Sequence, residues 1–483
     1  MAQTPERLRA LETLNTHLRE AVELVALSMA PLHFRNQLFA ILLLKRLNDL
    51  WEERSKALER EALEAGRSQP EARAIADDPD EHRFFVPVAA RWSTLLNTAE
   101  NLGAQIELAC SELERHNPNL LSGVSATIGF TVSGTRAEQE PHETMLRKLL
   151  LHFDKFALGD SALRARTLVS RGGAYLIEYL ATWGAKKGAA STSPAALMQL
   201  LAELLQPEAG MRVCDPACGV GGALVACAEY LHQRGGNPQA LSYFGQEYDA
   251  NTWALCKMNL LLHDLMDARL VLGSTISHPM LEEDGRLLTF DLVISEPPFS
   301  LLAWEHEAAA RTSFGRFAAG IPPARHGELA FVQHIAATLN ARGRAAIIVP
   351  HGVLFRGGSE KQIRAALLQP ETDLVEAVIA LPEGVLHGLK APAAVLLLNR
   401  NKNAARQRRV LFVDANLVAA PNAFVLNDAT RLKLVALYSA FGAREKLSAA
   451  VERKLQDLQR AVANGASAHA PGQTSQTQND LEY

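Results

Sequence analysis

Two short strings of the sequence have residue types and spacing that suit catalysis, and the first is a glycine-rich loop. Asp215-Pro216-Ala217-Cys218-Gly219-Val220-Gly221-Gly222 lies between an apolar segment typical of a strand and a helical run. Glycines at such a turn let the backbone approach a ligand closely, at the carboxyl edge where open α/β sheets bind ligands. Asp215 suits a ligand with an ammonium group better than a pyrophosphate. A second acid, Glu247, ends the next predicted strand, where a carboxylate can bind both hydroxyls of a ribose.

The second string, Ser295-Glu296-Pro297-Pro298-Phe299, ends another apolar strand. Two prolines stiffen the backbone and expose a carbonyl that accepts no hydrogen bond from the N–H groups of a neighbouring strand. A polar side chain, an exposed carbonyl and an aromatic ring can together bind an exocyclic amino group and stack on its base. An enzyme that acts on a base in duplex DNA flips that base out into such a pocket. The string therefore indicates a nucleobase-binding site.

Both strings depend on a sheet that brings strand ends together. Short apolar runs, most of them separated by helical segments, predict a mostly parallel sheet covered on both faces. These runs are Arg212–Cys214, Tyr243–Gly245, Leu292–Ile294, Ala345–Val349, Leu374–Ile379 and Val395–Leu398. We expect this α/β domain to cover residues 171–440. An all-α domain over residues 1–170 precedes it, with residues 61–100 polar and irregular. A C-terminal helix over 441–464 and a disordered tail over 465–483 follow it.

Composition restricts the class of protein further. The chain has 483 residues, 48% of them hydrophobic, and its formal net charge is −4 from 49 basic and 53 acidic side chains. These are globular values, and the charge is not that of a protein that coats nucleic acid. The apolar run 38–44 is far too short to cross a bilayer, and we predict a cytoplasmic protein with no membrane association. Five cysteines are too few for a disulfide framework.

Simpler interpretations of these strings exist. The glycine loop could be a tight turn beside a surface acid, and the Pro-Pro string a loop with one core phenylalanine. A nicotinamide-dependent dehydrogenase is disfavoured, because its fingerprint needs the spacing Gly-x-Gly-x-x-Gly. Cys214, Cys218 and Cys227 are expected to pack in the core or the loop, and no metal site is predicted.

The chain resembles the modification (M) subunit of type I restriction-modification systems, a class of adenine-N6 DNA methyltransferases, from about residue 20 to about residue 415. The glycine loop and the Pro-Pro string carry the resemblance together with several other strings in the family's order. These are Phe34–Gln37, Leu44–Leu47, His152–Phe156, Gly245–Glu247, Met258–His263, Gly343–Ala346, Pro350–Gly358 and Leu381–Glu383.

The resemblance implies a Rossmann-like fold that binds S-adenosyl-L-methionine and methylates a flipped adenine. The implied cofactor-binding residues are Ser193, Asp215, Ala217, Cys218, Gly219, Gly221, Glu247 and Ser274, and the implied catalytic residues are Glu296, Pro297, Pro298 and Phe299. The implied partners are duplex DNA, a specificity (S) subunit that selects the sequence, and a restriction subunit.

The chain also departs from the family at positions that matter for activity. Glu296 stands where relatives have Asn and wider DNA amino-methylases have Asp or Ser. Ser274 stands where the family has the acid that bonds the amino group of the cofactor's adenine. The extra methylene of Glu296 displaces the acceptor oxygen, and misplacement on that scale can cost about a hundredfold in rate. The alternative function is therefore a catalytically impaired scaffold or regulator in a DNA modification or defence complex.

Overall fold

The computed structural model describes residues 5–26, 31–163, 167–185, 194–299, 304–309, 311, 314–386, 391–418, 426–443, 451 and 456. Helices predominate before residue 206 and alternate with strands after it. The helices are α1 (Pro5–Ala26), α2 (Pro31–Glu64), α3 (Gln69–Ala76), α4 (Trp92–Asn97), α5 (Leu102–His116), α6 (Pro118–Leu121), α7 (Arg136–Asp154), α8 (Asp160–Leu163), α9 (Thr167–Ala185), α10 (Ala195–Leu205), α11 (Gly222–Gln233), α12 (Ala250–Leu262), α13 (His306–Ala309), α14 (Glu328–Thr338), α15 (Gly352–Phe355), α16 (Ser359–Leu368) and α17 (Asp428–Ala440).

The N-terminal helices bury the predicted apolar stripe. Phe34, Leu38 and Ile41 on α2 are fully buried. Asn36 on the same helix donates a hydrogen bond to the Asn251 carbonyl at 2.8 Å, which attaches α2 to α12. The expectation of an irregular segment over 61–100 is wrong in part, because α3 and α4 lie within it. The domain boundary expected at residue 170 falls inside α9.

The strands form one large sheet and one short hairpin. They are β1 (Arg212–Asp215), β2 (Ser242–Glu247), β3 (Arg269–Leu272), β4 (Glu282–Glu283), β5 (Arg286–Leu287), β6 (Phe290–Ser295), β7 (Leu339–Pro350), β8 (Val375–Leu381), β9 (Ala393–Asn399) and β10 (Leu411–Asp414). The sheet has the order β10-β8-β9-β7-β6-β1-β2-β3, and only β9 runs antiparallel to its neighbours. All six predicted strands are confirmed, as is the mostly parallel sheet.

Both faces of the sheet are covered, because alternate residues of each central strand enter different cores. On β7, Ala346 and Ile348 join the core formed with α10, α11 and α12. Ala345 and Ile347 join the opposite core, which includes residues of α14 and α16. Strands that are buried on both faces have near-continuous apolar sequences, and this is why they were predictable.

The strand order places the functional strings at a point where the chain reverses direction across the sheet. From β1 the chain continues outward to β2 and β3, and it then returns to the other side of β1 as β6. Ligands of open α/β sheets bind beyond the carboxyl ends of the strands at such a switch point. Asp215, Glu247 and Ser295 are the last residues of β1, β2 and β6.

Two features were expected near the C-terminus, a helix over 441–464 and a disordered tail over 465–483. Phe441 to Ala443 form a turn after α17, so the helix expected over 441–464 does not begin at its predicted start. Most of that segment, and the whole expected disordered tail, lie outside the described residues. In the part of the chain that the structure describes, no helix is long and apolar enough to cross a membrane.

Candidate functional site

The glycine loop forms a tight turn from β1 into α11. Gly219 and Gly221 have φ angles of +52° and +84°, a region that favours glycine. A Cβ atom at Gly221 would lie 2.9 Å from the Cys256 sulfur, whereas one at Gly219 would meet no atom within 4 Å. The loop therefore packs tightly against α12 at Gly221 and faces open space at Gly219.

Hydrogen bonds attach the glycine loop to β2 and to α12. The Cys218 N–H donates to the Gln246 carbonyl on β2 at 3.0 Å. The Asn259 side chain on α12 donates to the Val220 carbonyl at 2.8 Å. Asn259 is 2% exposed, so its bond forms away from water. The string around Asn259 thus positions the loop without itself reaching the open side.

Asp215 is a buried carboxyl at the end of β1. Its Oδ1 accepts hydrogen bonds from the Ser295 hydroxyl at 2.7 Å and from the Ala217 N–H at 3.0 Å. Burial raises the pKa of Asp215 to about 7, and the negative charges of Glu247 and Glu296 act in the same direction. A carboxyl in this setting is stabilised by a cationic ligand and not by an anionic one.

Glu247 connects the ends of β1 and β2. One carboxylate oxygen accepts a hydrogen bond from the Gly219 N–H at 2.9 Å, and the other accepts one from the Asp249 N–H, also at 2.9 Å. Burial raises the pKa of Glu247, and these N–H donors oppose that rise. A carboxylate offers about four acceptor positions, so Glu247 retains capacity for ligand hydroxyls.

Ser274 follows β3 on a loop that is attached to β2. The Gly273 N–H donates to the Glu247 carbonyl at 2.8 Å, and the Ser277 N–H donates to Ser274 Oγ at 3.2 Å. Ser274 Oγ itself donates to the carboxylate of Glu305. The sequence interpretation missed Glu305, because no spacing signal links it to β3.

Arg316 was also missed, although it holds the same loop in place. Its guanidinium donates to the Thr275 carbonyl at 2.8 Å and to the Ile276 carbonyl at 2.6 Å, and it contacts His334 Nδ1 at 2.9 Å. Burial lowers the pKa of Arg316 to about 10. A single arginine between Phe314-Gly315 and Phe317 gives no sequence signal for such a role.

The Pro-Pro string turns away from β6 beside Asp215. Glu296 is half-buried, Pro297 is buried and Pro298 is exposed, while Phe299 is half-buried and packs against the larger core. The Glu296 charge contributes to the raised pKa of Asp215, so the two predicted groups are electrostatic neighbours. Ser193 lies outside the described residues, and the adjoining Pro194 occupies the N-cap position of α10.

Two polar groups of the Pro350–Gly358 string lie beyond the end of β7. His351 is half-buried, and its Nε2 has no hydrogen-bond partner among the described residues. Arg356 bonds the buried Glu360 at 2.7 Å and the buried Glu328 at 3.3 Å. This ion cluster joins α14 to α16, so Arg356 and Glu328 act as structural supports.

A histidine pair in the helical domain is the one group of candidate metal ligands within the described residues. Ligand atoms of His17, Glu20 and His152 lie within 4.8 Å of one another. The two imidazole rings, however, stack at 3.8 Å between centroids with 10° between their planes. Nitrogen lone pairs in parallel planes do not converge on one ion, so this arrangement does not form a metal centre.

Comparisons with known proteins agree with this geometry. The N-6 DNA methylase family model matches residues 166–458, and the HsdM N-terminal domain model matches residues 14–153. The methylase subunit of type I restriction enzyme HindI from Haemophilus influenzae is 28% identical over 368 residues, which cover 71% of this chain and 79% of the relative. The MjaVII methylase subunit from Methanocaldococcus jannaschii is 28% identical over 353 residues, 70% of this chain and 56% of the relative.

Solved structures show the same fold. The type I restriction-modification methyltransferase subunit from Streptococcus thermophilus superposes with a TM-score of 0.74 at 21% identity, covering 90% of this chain and 94% of that one. A modification subunit of a type I restriction enzyme from Vibrio vulnificus gives a TM-score of 0.56 at 20% identity, covering 86% and 85%. The chain spans only about half the length of some curated relatives, 56% of one and 52% of another.

Proposed function

Because the chain belongs to the N-6 DNA methylase family, we propose that it is the modification subunit of a type I restriction-modification system. Its cofactor is S-adenosyl-L-methionine, and its reaction transfers the methyl group to the amino nitrogen of a flipped adenine in duplex DNA. The relatives above are themselves methylase subunits, which favours an enzyme over a non-catalytic scaffold.

The single observation that carries this proposal is the grouping of acids around the open side of the glycine loop. Asp215 is buried, and Glu247 and Glu296 add negative potential beside it. A sulfonium with an attached ammonium group fits this potential, whereas a dinucleotide pyrophosphate would be repelled. The residues present therefore fit S-adenosyl-L-methionine, which supplies an electrophilic methyl group when bound.

The chain's own residues have separate roles in this site. Asp215 holds the ammonium end, and Glu247 accepts hydrogen bonds from the ribose hydroxyls. Cys218 and Gly219 provide a backbone that lets the ligand approach closely, with Ala217 beside them. Ser193 lies near the methionine part by analogy with the family.

The Pro-Pro string binds the acceptor base. The Glu296 carboxylate and the Pro297 carbonyl accept hydrogen bonds from the two N–H groups of the adenine amino nitrogen. This directs the nitrogen lone pair toward the methyl group, and positioning contributes much of the remaining rate. Phe299 stacks on the flipped base, and Pro298 stiffens the loop.

Sequence selection is assigned to a separate specificity subunit, with a restriction subunit as a further partner. The net charge of −4 gives the chain few phosphate contacts of its own. A partner that binds the duplex would present the flipped base to the carboxyl ends of β1 and β6. We place the complex in the cytoplasm, where duplex DNA is available.

Calorimetric titration of the purified chain with S-adenosyl-L-methionine tests the cofactor site. We expect one binding event that Asp215→Ala and Glu247→Ala each weaken, the latter by roughly 1.5–3 kcal/mol, as for a hydrogen bond to a charged group. Asp284→Ala, at an exposed hairpin turn, is the matched control and should bind like the natural chain. Tight binding that neither Asp215→Ala nor Glu247→Ala weakens would show that the assigned site is wrong.

A further inference from the structure

Three neighbouring strands end at the cofactor edge, but only two end in an acid. Asp215 ends β1 and Glu247 ends β2, while β3 is followed by Gly273 and Ser274. S-adenosyl-L-methionine is a linear arrangement of methionine, ribose and adenine. With its ammonium at β1 and its ribose at β2, the adenine must lie over the end of β3, one strand spacing of about 4.8 Å further on.

A carboxylate from elsewhere in the chain reaches this position. Glu305 accepts a hydrogen bond from Ser274 Oγ. Its backbone has a φ of +62°, and its carbonyl accepts from the Ala309 N–H at 3.0 Å, so it begins the turn of α13. The side chain is exposed. One acceptor position is used by Ser274, and the others can serve a ligand.

The neighbouring residue anchors this segment firmly. Trp304 is 3% exposed, and its Nε1 donates to the Pro323 carbonyl at 3.0 Å. Its ring also occupies the space beside Gly327, where a Cβ would lie 2.5 Å from it. Trp304 belongs to a small apolar core that also touches Ala217 of the glycine loop; its other buried members are Ile276, Ala309, Ala330 and Phe331.

We propose that Glu305 is the residue that recognises the adenine of S-adenosyl-L-methionine in this chain, by accepting a hydrogen bond from the adenine amino group. The Ser274 hydroxyl orients the carboxylate and does not replace it, because its proton is donated to Glu305. A hydroxyl alone both donates and accepts, so it cannot distinguish an amino group from a carbonyl. A carboxylate only accepts, and it can. This inference rests on the proposed binding of S-adenosyl-L-methionine.

Equilibrium dialysis with two ligands tests the assignment: S-adenosylhomocysteine, and S-inosylhomocysteine, in which a carbonyl replaces the amino group. We expect the natural chain to prefer the adenosyl ligand by at least tenfold, and Glu305→Ala to lose most of this preference. Ser274→Asp combined with Glu305→Ala should restore the preference, because a carboxylate then stands at position 274, beside the place of the Glu305 carboxylate. Glu307→Ala, an exposed acid on α13, is the matched control and should change nothing.

The outcomes separate this assignment from the proposed function. If the natural chain binds the adenosyl ligand and Glu305→Ala keeps the full preference, the role of Glu305 is wrong and the cofactor site stands. If the natural chain binds neither ligand, the proposed function fails, and the role of Glu305 with it. Thermal melting of Glu305→Ala should match that of Glu307→Ala, since both side chains are exposed.

Discussion

The Ser295 hydroxyl donates a 2.7 Å hydrogen bond to Asp215 Oδ1, and this bond joins the end of β6 to the end of β1. Ser295 is fully buried and Asp215 nearly so. The strand that carries the proposed base-binding string is thereby connected to the strand that ends in the proposed cofactor acid. In the proposed function, methyl transfer requires the two ligands to meet between these strands, and the bond fixes the relative position of the two strand ends.

The first prediction concerns the pH dependence of cofactor affinity. A cationic ligand favours the charged form of Asp215, whose pKa is about 7 in the free protein. Below pH 7 binding must first remove a proton, so affinity should rise with pH and then level off. Between pH 6 and pH 7.5 we expect the dissociation constant for S-adenosyl-L-methionine to fall by roughly eightfold. Calorimetry across this range measures it.

Asp215→Asn is the control for that measurement. The variant should bind weakly and with no such rise over the same pH range. A rise of equal size in Asp215→Asn would assign the titration to another group. Asp284→Asn, at the exposed hairpin turn, should retain the behaviour of the natural chain.

The second prediction is that Asp215→Asn makes the folded protein more stable above neutral pH. The folded pKa of Asp215 lies above its value of 3.8 in a model peptide. The folded state therefore holds the proton more tightly, and stability is lost as pH rises through about 7. Asparagine keeps an acceptor at Oδ1, which accepts the hydrogen bonds from the Ser295 hydroxyl and the Ala217 N–H. We expect a gain of up to about 4 kcal/mol at pH 8.

Denaturant unfolding of the natural chain and Asp215→Asn at pH 5 and pH 8 tests this expectation. The stability difference should be larger at pH 8 than at pH 5. A variant that is less stable at both pH values would mean that the charged carboxylate is favoured by its surroundings.

The third prediction separates two glycines of the loop. Gly221→Ala forces a methyl group to 2.9 Å from Cys256 Sγ at a φ of +84°, so it should lower both the melting temperature and cofactor affinity. Gly219→Ala meets no atom in the protein, so its folding cost is that of the left-handed backbone alone, about 1–2 kcal/mol. Its methyl group enters the ligand space, and affinity should still fall.

Gly235→Ala is the matched control, since Gly235 has a φ of +78° with open space around it and lies at the far end of α11. It should show the folding cost without a loss of cofactor affinity. Thermal melting and calorimetry on the three variants give both quantities. Unchanged affinity in Gly219→Ala would place the ligand elsewhere.

Much of the fold was predictable because buried strands have a continuous apolar sequence. The six strands at the centre of the sheet follow this rule, whereas β3 and β10 lie at its edges. The residues of β10 alternate between half-buried and exposed, and β3 is exposed at both of its ends. Four-residue segments of this kind resemble loops. Helix α3 was missed, although Ser68 and Glu71 give a capping signal in the sequence. In the structure the Ser68 N–H donates to the Glu71 carboxylate at 2.9 Å.

The positions of the candidate-site residues were predictable where these residues end strands. Asp215 and Glu247 are at strand ends, and parallel strands bring their carboxyl ends together. Glu305 and Arg316 come from the long segment after β6, and their places depend on tertiary contacts of Trp304 and Thr275. No local periodicity encodes such contacts. From the sequence, Ser274 stands where the family has an acid, and in the structure Ser274 Oγ donates a hydrogen bond to the carboxylate of Glu305.

The most direct test of the account is methylation of DNA by the chain in complex with the specificity subunit that we propose as its partner. Mass spectrometry would quantify N6-methyladenine in duplex DNA after incubation with S-adenosyl-L-methionine, for the natural chain, Glu296→Ala, Glu296→Gln and Glu296→Asn. We predict methylation by the natural complex and a loss of about a hundredfold or more in Glu296→Ala. A natural complex that binds the cofactor but forms no N6-methyladenine, while Glu296→Asn forms it, would contradict the account and identify a catalytically impaired scaffold.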